Sequence, residues 1–255
     1  MFAQAVKHKR ERGVQSAMSA SYPIARRALA GGMLVALLLP RMALAAAAAA
    51  TPRDLLTQAA FQTSDKGKAL ALVGQAIAAA DRILAARPGD REAALQRGVA
   101  IGYRARLTRS RGDARMSLQI FEGLAARDPR DAEAQIAIAG WHLDAIDQLG
   151  GFIARTMVGA KQAVGEAALD RAVALGGNRA FFPGLAALMR IRLAPGNVAQ
   201  ARKLAEAAAG APAPTALDTL MKRDAMAVLH ALRTGDGKAA AAQARRMLPF
   251  GSMDR

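Results

Sequence analysis

Apolar residues recur with helical spacing from residue 53 to residue 248, in blocks cut by clusters of Gly, Pro, Asp and Asn. The cuts fall at ARPGDR, SRGDA, RDPRD, LGG, LGGN, APGN, GAPAP and TGDG. Between them the chain predicts helices over 53–62, 66–87, 90–107, 113–127, 131–149, 152–175, 179–193, 197–209, 214–233 and 237–248. No stretch reads as a strand, because runs of Val, Ile, Thr and Tyr are scarce. Helices joined by turns of about two to six residues are expected to pack antiparallel. The fold class is therefore all-α.

One phrase occurs twice. LAARPGDREAA at 84–94 is echoed by LAARDPRDAEA at 124–134. Leu84 and Leu124 lie 40 residues apart, and Glu92 and Glu133 lie 41 apart. In each copy a proline stops one helix, since its ring fixes φ and removes an N–H. Asp90 or Asp131 then caps the next. The echo is a repeated helix–turn–helix joint. Repeats of this period mark solenoids, whose units bury their apolar faces only against neighbours.

Gly112, Leu118, Phe121 and Pro129 have the spacing of the second helix and closing proline of a tetratricopeptide repeat (TPR). Gly196-Asn197 with Ala201, and Gly235-Asp236 with Ala240, look like later openings of the same helix type. The chain thus resembles the TPR family over 66–248. It departs from the family in the first helix of the third unit, where Ile138, Ala139 and His142 replace the Trp-Leu-Gly-Tyr run. Spacing also drifts from the family's ~34 residues towards 40–50. The resemblance implies a right-handed α-solenoid of antiparallel helix pairs, with first-helix side chains lining a concave groove that holds a polypeptide.

The N-terminal pattern is different. In SYPIARRALAGGMLVALLLPRMALAAAAAA, Arg26 and Arg27 precede an apolar run, Ala28 to Leu39, and Ala43-Leu44-Ala45 follows as a small-residue cleavage site. Pro40 and Arg41 stop the run short of bilayer-spanning length. Residues 1–45 are expected to be a secretory signal region, with Met18 a possible start, preceding the periplasm or secretion. An uncleaved inner-membrane anchor is the alternative. The flanks of Arg26-Arg27 lack the fuller twin-arginine pattern, which favours the general secretory route. Residues 46–65 then form a linker and first helix, and 66–255 the TPR-like domain.

Composition sharpens this picture. Hydrophobic residues make up 53% of the 255 residues but aromatics only 4%. Alanine, the best helix former, carries the difference. There is no cysteine, which excludes disulfides, Cys-bound zinc and a thiol nucleophile. The formal net charge of +16 is uneven: residues 178–255 hold 12 basic against 5 acidic residues. Such a balance bears on association. Nucleic acid is not expected as a partner, because export removes access and no aromatic-rich basic stripe is present.

Candidate chemistry is sparse. Of three histidines, His8 lies in the signal region, His230 sits in an apolar helix face, and His142 points away from the face that Asp144 and Asp147 share. No nucleophile elbow, phosphate loop or paired-His motif is present. No enzyme activity, metal or cofactor is expected. Binding residues are better candidates. Tyr103, Arg104, Arg106, Arg109, Arg111 and Arg115 surround one turn, and guanidinium forks suit carboxylates and phosphates. In and just before 139–172, Ile138, Trp141, Ile146, Phe152, Val158 and Val164 read as core, whereas Asp144, Gln148, Arg155 and Lys161 would line the groove, with Trp141 as a possible anchor. Phe181-Phe182-Pro183 extends its floor or seals one repeat on the next.

The function expected from these features is an exported scaffold or adaptor for a protein or peptide. Two alternatives remain open: a solute-binding helical protein using Trp141, Arg155 and Arg179, or a membrane-peripheral protein using its basic C-terminal third.

Overall fold

The computed structural model describes residues 50–253, which lie in the compact unit Ala46–Arg255. The expected signal region lies outside the described residues. Among these the chain forms helices and no strand: α1 (Pro52–Phe61), α2 (Lys66–Ala86), α3 (Arg91–Thr108), α4 (Arg111–Arg127), α5 (Ala132–Leu149), α6 (Gly151–Val158), α7 (Gln162–Leu175), α8 (Phe181–Leu193), α9 (Val198–Gly210), α10 (Ala216–Arg233) and α11 (Gly237–Met247).

Local chemistry sets most of the starts. Asp65, Asp90, Asp131 and Asp236 each accept a hydrogen bond from the backbone N–H three residues on. Ser110 does the same for Asp113. Thr51 with Asp54, and Thr215 with Asp218, close reciprocal capping boxes. Each cap satisfies a donor that the first turn leaves without a helical acceptor.

The helices pack as α1 on α2, α3 on α4, α5 on α7, α8 on α9 and α10 on α11, with α6 a side branch of α5. Successive pairs meet through α2 on α3, α4 on α5, α7 on α8 and α9 on α10. Two apolar cores result. The larger runs from α3 to α11 and includes Phe121, Leu143, Leu169, Phe182 and Met221. The smaller joins α1, α2 and α3 and contains one residue from the far end of the chain, Phe250.

Phe121 is the aromatic of the motif that runs from Gly112 to Pro129. It is buried in α4, and a Cβ added to Gly98 of α3 would come within 2.6 Å of its ring. Glycine at 98 is what lets α3 and α4 approach. Phe121→Ala is expected to lower stability by about 3–5 kcal/mol, read from a denaturant melt. An unchanged midpoint would show that this contact is not part of the core.

One expected helix is two. The span 152–175 breaks at Gly159, which has φ 81°. Glycine reaches this left-handed region without steric cost. The Gly159 N–H donates to Arg155 O and the Ala160 N–H to Ala154 O, closing the end of α6. The break also overturns part of the expected core. Phe152 is 80% exposed, and Val164 is exposed as well. The sequence period for this stretch assumed one continuous helix. With the axis broken, only Ala154 of α6 is buried.

Candidate functional site

Side chains from four helices and the C-terminal tail converge on one polar cluster. Near the C-terminal end of α3, Tyr103 meets the Phe250 ring edge-on at 4.9 Å, and the Arg106 guanidinium lies 5.4 Å from the same ring. Arg106 Nη1 donates to Asp144 Oδ1 of α5 at 2.9 Å. Arg192 Nη1 of α8 donates to the same oxygen at 3.0 Å and lies 3.6 Å from Asp147 Oδ2. Arg245 Nη2 of α11 lies 3.5 Å from Asp147 Oδ1 and 3.4 Å from the Arg192 carbonyl oxygen. The i, i+3 spacing of Asp144 and Asp147 is what puts both carboxylates on one face.

The balance of this cluster is cationic, with three guanidinium groups facing two carboxylates. Arg192 is 3% exposed, and its Nε is buried with no acceptor. A buried donor without an acceptor costs free energy. Desolvation raises the Tyr103 phenol above its ordinary value, while the neighbouring Arg106 charge opposes that rise. Tyr103 is therefore a neutral hydroxyl beside fixed cations. The arrangement suits recognition of a carboxylate next to an apolar or aromatic group.

The residues expected to bind a partner fall into three groups. Tyr103 and Asp144 belong to the cluster just described. Arg104 and Trp141 hold the helices in place: Arg104 grips Asp113 with both arms, at 2.7 and 2.8 Å, and Trp141 Nε1 donates to Ala114 O at 2.7 Å. Gln148, Arg155 and Lys161 are exposed at the end of α5, on α6 and just before α7. His142 is buried behind Trp141, and its Nδ1 accepts the Lys161 N–H at 3.2 Å. Burial and the Lys161 charge lower its pKa, so it is held neutral.

Trp141, Arg155 and Arg179, the candidate solute contacts, are dispersed. Arg179 contacts Glu133 and Asp218 across to α5 and α10. A cavity of about 380 Å³ contains none of the three. It lies between the two copies of the repeated joint, lined by Pro88, Asp90, Arg91, Arg127, Asp128 and Asp131 among others. No group of three metal-ligating side chains occurs among the described residues.

A second ionic row, which was not expected, explains the repeated phrase. Glu133 accepts from Arg53 at 2.8 Å, Arg91 at 3.0 Å and Arg179 at 3.3 Å. Arg91 also forks onto Asp131, and Arg53 onto Glu92. Burial works against the Glu133 charge, but Arg53 and Arg91 outweigh it and hold the carboxyl below its ordinary range. The two copies of the joint therefore mesh, charge to charge, where the pairs stack. The signal lay in the matched positions of Glu92 and Glu133.

No protein-family model matches the chain, and neither any curated protein nor any solved structure matches it.

Proposed function

We propose that this chain is an exported, TPR-like helical scaffold that binds a protein or peptide segment along the polar inner cluster. The observation that carries the reading is the convergence of Tyr103, Arg106, Asp144, Asp147, Arg192 and Arg245 from α3, α5, α8 and α11. In a stacked array of helix pairs, a line of side chains drawn from successive pairs forms an extended recognition surface. The excess of guanidinium favours a segment bearing Asp, Glu or a terminal carboxylate. Arg245 is the exposed entry to this line, and its contacts are long enough to yield to a ligand.

The test uses a photo-crosslinking residue at Gln148, one turn beyond Asp144, with the same residue at exposed Ala207 as the control. Capture of one discrete polypeptide in the producing cell is expected at 148 and not at 207. Arg245→Ala should reduce that capture severalfold without changing helicity, since an exposed charge acts mainly on encounter and specificity. Equal capture at the two positions, or capture indifferent to Arg245→Ala, would remove the inner cluster from the reading.

A further inference from the structure

The face of α6 has chemistry that the inner cluster does not use. Phe152 is 80% exposed, Ile153 49% and Leu149 42%. Within α6, Phe152 and Ile153 share one face with Thr156, at i−4 and i−3 from it, and Leu149 ends α5 just before the break at Gly150. This is the densest concentration of exposed large apolar side chains among the described residues. A fold rarely leaves such a stripe in water without a partner.

The charges on α6 and the turn that follows it are of one sign. Residues 148–165 contain Arg155 and Lys161 and no Asp or Glu. The bond from Trp141 to Ala114 O sets the C-terminal half of α5 beside the N-terminal half of α4, and α6 contacts α4. The same end of the molecule therefore carries Arg109, Arg111, Arg115 and the exposed Met116. The side chains of Arg109, Arg111, Arg115, Arg155 and Lys161 are exposed, and each lacks an ion pair among the described residues. The nearby carboxylate of Asp113 is taken by Arg104.

We infer that the face formed by α6 and the basic α3–α4 turn docks on an anionic lipid surface, with Phe152 and Ile153 seated among the acyl chains and the surrounding cations at headgroup height. Two features select a bilayer over a polypeptide. The apolar groups protrude from a short helix instead of lining a groove, and the cavity beside the repeated joint does not include them. Cations beside protruding apolar groups match an interface that is anionic outside and hydrocarbon within. The eight residues of α6 are about 12 Å long, enough to lie in the interface and too short to cross it. This contact is independent of what the inner cluster binds.

The absence of cysteine makes the test clean. Thr156→Cys in the full chain, labelled with an environment-sensitive fluorophore, reports on the α6 face, and Ala207→Cys serves as the control. Vesicles rich in phosphatidylglycerol should shift the Thr156→Cys emission to the blue and at least roughly double its intensity, as expected when a surface helix enters the headgroup boundary. Phosphatidylcholine vesicles should not, and the control should not respond to either. Adding Phe152→Ser and Ile153→Ser should abolish the shift while circular dichroism stays unchanged. The inference is overturned by no shift on phosphatidylglycerol, by an equal shift at 207, by a shift that survives the double serine variant, or by a shift given by polyglutamate and not by vesicles.

Discussion

Asp218→Ala is expected to destabilise the protein by about 3–5 kcal/mol, the range for removing one member of a buried charged network. Asp218 is 0% exposed. Its carboxylate accepts from Thr215 Oγ1 at 2.6 Å, the Thr215 N–H at 3.2 Å, the Phe181 N–H at 3.1 Å and Arg179 Nη2 at 3.1 Å. It caps α10, receives the first N–H of α8 and anchors the arginine that reaches Glu133. Alanine would leave these donors without their acceptor in a place water does not reach. Burial alone would raise the Asp218 pKa, but the hydrogen bonds from Thr215, Arg179 and Phe181 outweigh it and hold it below the ordinary carboxylate range. The folded value thus lies below the unfolded one. The stability from this group is complete above the unfolded pKa of ~3.9 and is lost as pH falls through the folded value. Denaturant melts between neutral and acidic pH check both parts. Asp218→Asn should flatten the acid side of the profile, and a neutral melt matching the parent would refute the network.

Phe250→Ala should have a comparable effect, about 3–5 kcal/mol for an aromatic deleted from a closed core, with a distinct geography. Phe250 is 1% exposed and packs among α1, α2 and α3. Its N–H donates to Ala60 O at 2.8 Å, and Ser252 Oγ donates to Thr63 O at 3.2 Å. The residue holds φ at 62°, a left-handed conformation that a bulky side chain adopts only when its surroundings impose it. Native-state hydrogen exchange should show amide protection lost first in α1 and α2, with α8–α10 retained. Uniform loss, or none, would show that the tail does not hold the first helices. Phe250→Gly should recover the backbone strain but not the packing, and so remain close to alanine.

Element types and most boundaries were legible because their determinants are local: prolines, Asx and Ser/Thr caps, and helical periodicity. The α6–α7 break was not, because Gly159 stands alone between Val158 and Ala160, without the second Gly or the Pro, Asp or Asn that marked the other turns. Of the inner cluster, Tyr103 and Asp144 could be named from their places on α3 and α5. Arg192 and Arg245 could not, since they meet Asp144 and Asp147 across 48 and 98 residues. Nothing in the local pattern pairs them. Phe250 illustrates the same limit: a lone aromatic in LPFGS reads as a turn, and its partners are set by how the whole array comes round.

That return of the tail has a bearing on how the chain is made. Synthesis delivers α1 long before Phe250, yet the two complete a single core. The α1–α2 hairpin therefore leaves the ribosome without the side chain that seals it, and its core stays open until Phe250 has emerged. A frameshift or premature stop before Phe250 would leave the core of α1, α2 and α3 open.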